Sequence, residues 1–548
     1  MKEYVITLKS YDDLDGFYDD METPGGNLYI PDRSVELVNR RVNSRNTHYM
    51  LTDEEAELVR SDPRVLHCVL TPEQLGLKVK PAWTQSSDYW DKSTSNNSNH
   101  KNWGLLRCVE GQQRQGWGLF GTVETVSGTI TVNTEGRNVD VVIVDGFMDV
   151  NHPEFAVNSD GSGGTRVIQY NWLQHATPTG TYSYTGGNSF DNNHGAHVAG
   201  IAAGNTQGWA RSANIYNLNP YLGDIFTMFD YIRAWHASKS INPLTGRRNP
   251  TIINNSWGYV YTTSISEISL INYRGQSISL DTGLSNHSNN LFNYGIYNNG
   301  FSTTIPFRYE PYEADIIDAI QAGIIVVGAA GNQSFKIDVE NGVDYNNYVD
   351  FDYFRIYYHR GMTPTSGNQQ ICVGAIDFIA DETKYTPSNC GPRIDIYAPG
   401  VLIMSSVNSG GVYDPRTPLY TIAKSNGTSM ASPQVCGVLA CLLETYPNLT
   451  QEEARNYIIN NSKKDQIFDT QGGYNDDVSL QGSPNRYLYY YKERADTGTT
   501  WPKLTTKPDL VQEDCIQDKE LEKLAHNDFN KYFDRELTCK IKNLAVFT

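Results

Sequence analysis

Gly427-Thr428-Ser429-Met430-Ala431-Ser432-Pro433 places a serine between small residues, where an irregular segment gives way to an apolar helical pattern with Val435, Val438, Leu439, Leu442 and Leu443 on one face. A hydroxyl in that position sits at a helix N-terminus beside its own backbone N–H, with neighbours small enough for a carbonyl to approach. Gly-Thr-Ser alone reads as a helix cap, since Ser and Thr are ordinary N-caps and Pro is common in a first turn. A nucleophile requires more: a base, an acid that orients the base, and donors for an oxyanion.

Three further strings offer those groups. Val141-Val142-Ile143-Val144-Asp145 is an apolar run ending in an acid, and active sites of open α/β sheets lie beyond the carboxyl ends of their strands. In isolation Asp145 would be a turn residue. His194-Gly195-Ala196-His197-Val198-Ala199-Gly200 opens a helix behind Asp191-Asn192-Asn193. Two histidines three apart suggest a metal, but no matching Glu or third ligand follows at useful spacing, so zinc is a poor reading. Ile324-Ile325-Val326-Val327-Gly328-Ala329-Ala330-Gly331-Asn332 is a buried strand running into small residues and an asparagine, whose N–H₂ group can stabilise a developing oxyanion. Read blandly, Asn332 is a turn residue after a strand.

The heptapeptide is similar to the nucleophile motif of the subtilisin-like serine peptidases, the subtilases. Asp145 followed by His152-Pro153-Glu154-Phe155 resembles the aspartate motif of that family, and the His194 string resembles its histidine motif. The order Asp145, His194, Ser429 is the subtilisin order. The resemblance covers residues 102–490 and implies catalytic roles for Asp145, His194 (not His197) and Ser429, with Asn332 as oxyanion donor. It also implies that Ser256, Trp257 and Gly258 pair with substrate main chain and form one wall of the primary pocket, opposite Ala329, Ala330 and Gly331. The implied fold is α/β: a subtilisin-like three-layer fold with a central parallel sheet, preceded by a small α+β propeptide-like domain. The implied activity is a serine endopeptidase acting on proteins or peptides. The competing readings are a structural or binding protein on the same scaffold, and an esterase or transferase using the same triad. Two departures bear on rate: Gly146-Phe147 stands where the family has Ser or Thr and then Gly, and Ala196 stands where threonine is usual. The short stretch 202–208 resembles subtilases that lack a calcium loop there. Acidic loops offer oxygen ligands for structural calcium, but no ligand set is legible, so no metal site is predicted and no cofactor is expected to be required.

Around this core the chain divides into a propeptide-like α+β domain over residues 1–80 and an exposed Ser/Asn-rich linker over 81–101, where processing is expected. The catalytic domain over 102–490 carries long, loop-like insertions near 259–310 and 333–369, and an extension over 491–548 has a charged helix near 514–535. Strands are expected at 139–144, 214–217, 251–254, 324–329 and 370–375, and helices at 194–203, 225–238, 312–321, 430–444 and 450–460. By resemblance, the first domain serves as intramolecular chaperone and inhibitor, with residues 68–80 in the active-site cleft.

The net charge of −18 argues against nucleic-acid and anionic-membrane partners. No apolar run approaches the roughly 20 residues of a membrane span. Residues 1–8 alternate like a strand and lack the apolar core of a secretory signal, and the eight scattered cysteines read as reduced and packed. An intracellular or virus-associated chain without a signal peptide is therefore expected.

Overall fold

The alternation over Lys2–Leu8 (β1) puts Tyr4, Ile6 and Leu8 on one buried face. The computed structural model describes residues 1–10, 12–31, 33–34, 46–70, 82–118, 125–175, 193–219, 228–279, 291–351, 354–490 and 545–547. Two compact units are present: Met1–Pro81 belongs to the first, and Ala82–Tyr491 with Phe533–Thr548 to the second.

In the first unit β1 is the centre of an antiparallel sheet, flanked by Asn46–Leu51 (β2) and Val65–Leu70 (β3). Helices Leu14–Glu22 (α1) and Asp53–Arg60 (α2) complete its core with Phe17, Met21, Ala56 and Val59. The capping box read from Thr52 and Glu55 starts α2: the Thr52 hydroxyl takes the Glu55 N–H, and the Glu55 carboxylate takes the Thr52 N–H.

The second unit opens with Trp83–Asp91 (β4), Lys101–Asn102 (β5), Trp103–Glu110 (α3) and Thr125–Val132 (β6). This corrects the linker expected over 81–101. Strand β4 pairs antiparallel with β6 and buries Trp83 and Trp90 in the main core, so the sparse aromatics of a Ser/Asn-rich stretch are its inward face. The buried Asp91 carboxylate meets His100 Nδ1 at 2.9 Å and the Lys424 ammonium, which ties the segment down.

The scaffold of the site is a nine-stranded sheet. In chain order its strands are Asp140–Val144 (β7), Val167–Ile168 (β8), Asn214–Leu218 (β9), Thr251–Asn255 (β10), Ile325–Ala329 (β15), Ile371–Ile376 (β18), Ile396–Pro399 (β19), Lys463–Lys464 (β23) and Arg486–Tyr487 (β24). The numbers skipped belong to short strands outside this sheet: Gly258–Ser264 (β11), Leu270–Tyr273 (β12), Gln276–Ser279 (β13), Ser302–Pro306 (β14), Tyr348–Asp350 (β16), Arg355–Ile356 (β17), Ile403–Val407 (β20), Val412–Asp414 (β21) and Thr417–Ser425 (β22); Ala545–Phe547 is β25. The spatial order is β23-β24-β19-β18-β15-β10-β7-β9-β8, parallel throughout except for β23 at the edge. Residues of β7, β10, β15 and β18 are all buried, as strands covered on both faces must be. Helices His194–Ala203 (α4), Met228–Ser238 (α5), Glu310–Gln321 (α6), Thr428–Thr445 (α7) and Gln451–Asn461 (α8) supply the outer layers.

From β7 the chain passes through α4 to β9 on one side, then returns to place β10 on the other. The crevice between β7 and β10 is therefore a topological switch point, where open α/β sheets bind ligands. Helix α7 packs against α4 and strands β10, β15, β18 and β19. Val435, Val438, Leu439, Leu442 and Leu443 share one face, yet all of residues 428–443 are buried, because α4 and the sheet pack against the helix.

The stretches read as long loops over 259–310 and 333–369 hold strands β11–β14, β16 and β17 around a satellite core of Ile271, Ile305, Val349 and Tyr358. Tyr358 is buried in that core and Tyr261, Tyr273 and Tyr294 pack against it, whereas a composition reading assigns these tyrosines to polar surface. The six described cysteines are buried and unpaired. Residues 71–81, 225–227 and the helix expected near 514–535 lie outside the described residues.

Candidate active site

Asp145, Ser256 and Asn332 each lie just past the carboxyl end of a strand, β7, β10 and β15 respectively. Those strands are neighbours in the sheet, so the three residues share one edge of it.

Asp145 is fully buried, and its Oδ1 lies 2.8 Å from His194 Nδ1 and takes the Gly146 N–H at 2.7 Å. An ionised carboxylate only accepts, so the bond fixes the histidine proton on Nδ1 and leaves Nε2 as the basic nitrogen. The helix that presents His194 comes very close to this turn: a Cβ on Gly195 would stand 2.1 Å from the Gly146 carbonyl oxygen, so only glycine fits there. Phe147 does not unseat the aspartate. Asn217 Nδ2 holds the carbonyls of Asp145 and Gly146 at 3.2 and 3.1 Å, and Asn408 Nδ2 holds that of Phe147 at 3.0 Å. His197 points elsewhere, donating from Nε2 to the Ala423 carbonyl at 3.0 Å, and Ser405 and Ser406 bond the carbonyls of His197 and Ala196.

Ser429 is the second residue of α7, and its hydroxyl donates to the Ser256 carbonyl at 3.0 Å. The reverse bond is set by a break in the helix. Pro433 lies inside α7 and has no N–H to give the carbonyl four residues back, which belongs to Ser429. That carbonyl is taken by the Ser256 hydroxyl at 2.9 Å. Asn254 Nδ2 donates to the Ser256 Oγ at 2.9 Å, and the Ser432 hydroxyl donates to Asn254 Oδ1 at 2.7 Å, closing a buried ring around the serine.

Asn332 is oriented from the same helix. Its Oδ1 accepts the Thr428 N–H at 2.9 Å and the Thr428 hydroxyl at 3.0 Å, leaving Nδ2 as the donor end of the amide. The Thr428 Oγ1 also takes the Gly331 N–H at 3.2 Å.

Ser256, Ser429 and Asn332 open into a cavity of about 310 Å³, which Asp145 and His194 do not line. Ser256, Trp257, Gly258, Ala329 and Gly331 line it together with Asn332 and Ser429. Ala330, expected in the wall, does not: its N–H goes to Val373 and its carbonyl to Asn389, inside the sheet. Sequence reasoning missed Met362, which sits between the two walls. A Cβ on Gly258 would lie 2.4 Å from the Met362 sulfur, and one on Gly331 would lie 2.9 Å from its Cε. It also missed Asn298 and Thr304 from the insertion, which line the same cavity.

The His152-Pro153-Glu154-Phe155 string does not line the cavity but ties distant segments together. The buried Glu154 carboxylate takes the N–H groups of Thr206 and Gln207, the Thr206 hydroxyl and the Arg416 guanidinium. Burial alone would raise its pKa; Arg416 and the Thr206 bonds outweigh it and hold Glu154 at about 2. Among the described residues no group of three or more His, Cys, Asp or Glu side chains is placed to hold a metal ion, and no helix is long and apolar enough to cross a membrane.

The family model described as the subtilase family matches residues 136–482. Subtilisin-like protease 2 of Trichophyton equinum is 25% identical over 65% of this chain and 59% of its own length. Subtilisin-like protease 3 of Trichophyton tonsurans is 27% identical over 60% of this chain and 58% of its own. The chain thus spans less than two thirds of these curated relatives. A solved cold-adapted subtilisin-like serine proteinase aligns over 71% of this chain and 98% of its own, with 19% identity and a TM-score of 0.42. The expectation of an intracellular or virus-associated chain without a signal peptide does not fit relatives that are fungal subtilisin-like proteases, and it does not stand.

Proposed function

The chain belongs to the subtilase family, and on that premise we propose that it is a serine endopeptidase that cleaves peptide bonds through an acyl-enzyme on Ser429. One observation carries the reading: the Asp145–His194 bond, the Ser429 hydroxyl and the donor end of Asn332 gather at one edge of the sheet, and the last two open into one cavity. For attack, the Ser429 hydroxyl turns from the Ser256 carbonyl toward His194 Nε2, which takes its proton as Ser429 Oγ adds to the scissile carbonyl. Asp145 holds the ring and stabilises the imidazolium. The Ser429 N–H and Asn332 Nδ2 receive the negative oxygen. His194 then protonates the leaving amine, and a water repeats the sequence to release the acid.

The cavity suits a side chain of modest size, because Met362 fills the space between walls that two glycines leave open. The first unit is proposed as the propeptide, a folding aid and inhibitor of the second. Supplied in trans as residues 1–81, it should slow peptide hydrolysis by a chain that begins at Ala82, and full activity at saturating concentrations of it would reject that role. The peptidase reading itself is tested by comparing cleavage of a peptide library by the native chain and by Ser429→Ala. Products from the native chain only are expected; equal products from both, or ester cleavage without peptide cleavage, would overturn it.

A further inference from the structure

Strand β11 starts at Gly258, one of the residues lining the Ser429 cavity. One of its edges is occupied by β14. The Tyr259 N–H donates to the Thr363 carbonyl at 2.9 Å and the Tyr259 carbonyl accepts the Phe307 N–H at 2.9 Å, so both polar groups of Tyr259 face that side. Backbone groups alternate along a strand, so the N–H and C=O of Gly258 and Val260 face the opposite edge. That edge carries β25, antiparallel, with Phe547 opposite Gly258, Val546 opposite Tyr259 and Ala545 opposite Val260.

The direction matters. Running from Ala545 to Phe547, the segment travels down β11 from Val260 toward Gly258. A peptide continued in that register passes Trp257 and reaches Ser256, whose carbonyl is 3.0 Å from the Ser429 hydroxyl. Any extended peptide that adds to this edge antiparallel is led by its carboxyl side to the nucleophile. A strand edge of two outward-facing residues has room for one occupant at a time.

The family resemblance already gives Gly258 to the segment that pairs with a substrate's main chain; we propose that Ala545–Phe547, lying on the Gly258–Val260 edge, is a built-in competitor for the acyl side of the substrate. The inference rests on the peptidase reading of Ser429. The segment regulates entry to the site without touching the reacting atoms: it raises the apparent KM of extended substrates and leaves kcat unchanged.

Three measurements decide it. A chain truncated before Ala545, and separately Phe547→Pro, which removes an N–H facing Gly258, should each show KM for a substrate extended on its acyl side lowered at least threefold, with kcat preserved. A synthetic peptide spanning residues 541–548 should inhibit the truncated enzyme competitively. KM unchanged in both variants, with no inhibition by the peptide, would overturn the proposal while leaving the peptidase intact. If neither chain turns over substrate, the peptidase reading fails instead, and the truncated Ser429→Ala chain still decides the edge. Displacement of a bound fluorescent extended peptide by the 541–548 peptide is expected there, and failure to displace it would exclude shared occupancy.

Discussion

Removing the Ser256 hydroxyl should damage the site through a carbonyl that lies on another element. In Ser256→Ala the Ser429 carbonyl loses its donor and Asn254 Nδ2 loses its acceptor, in a region where Ser256, Asn254 and Ser432 are all buried. Each buried polar group left unpaired costs roughly 1–3 kcal/mol, so a loss of about 2–6 kcal/mol is expected for the two. Pro433→Ala restores the N–H that the helix lacks. In the native background that N–H competes with Ser256 for one carbonyl and gains little hydrogen-bond energy; in Ser256→Ala it replaces the missing donor. The double variant should therefore be more stable than the sum of the singles by about 1–3 kcal/mol, the cost of leaving that one carbonyl unpaired. Urea unfolding of all four chains in a Ser429→Ala background, which keeps the carbonyl and prevents self-digestion, measures this coupling directly. Additivity within about 0.3–0.5 kcal/mol would show that Pro433 and Ser256 do not share the Ser429 carbonyl, and the reasoning would fail.

Asn332→Ala should lower kcat roughly 10²–10³-fold with KM little changed, the range known for this donor in subtilisin itself; a change confined to KM would remove Asn332 from the oxyanion site. Met362→Ala should widen the space between Gly258 and Gly331, and library profiling should show a shift toward larger apolar side chains at the cleaved position of roughly tenfold or more. An unchanged profile would place the side-chain pocket elsewhere. Glu154 has a folded pKa of about 2 against an unfolded value near 4.5, so its stabilising effect is fully present above pH 4.5 and is lost as pH falls toward 2. Acid titration of stability should show this step, on the order of 3 kcal/mol, and Glu154→Gln should abolish it; an identical acid limb in the variant would refute the linkage.

What could be read in the sequence is what is local. Asp145, His194, Asn332 and Ser429 each stand at a strand end or helix start marked by an apolar run, so a short string carries both the residue and its placement. Five of the parallel strands were legible for the same reason, with ends within a residue or two of those seen, such as 139–144 against Asp140–Val144 and 251–254 against Thr251–Asn255; the short strands β8, β19 and β24 were not. Features assembled from distant segments were not. Met362 reaches the cavity only because Thr363 bridges Tyr259 and Phe307, more than fifty residues earlier. The β4 strand was hidden because two tryptophans among serines look like a linker until β6 and Lys424 are beside them. The link between Pro433 and Ser256 was invisible because a missing N–H leaves no mark in a hydrophobic pattern. Phe147 raised doubt as a bulky residue in a glycine position, and only Asn217 and Asn408 show how that turn is held.

The central claim is that Ser429 is the acylated residue and that His194, held by Asp145, makes it reactive. Reaction of the native chain, Ser429→Ala and His194→Ala with a fluorophosphonate, followed by peptide mapping by mass spectrometry, tests it most directly. The account predicts one adduct on Ser429 in the native chain, none in Ser429→Ala, and labelling slowed at least a hundredfold in His194→Ala. An adduct on another serine, or labelling of Ser429 at the native rate without His194, would contradict it.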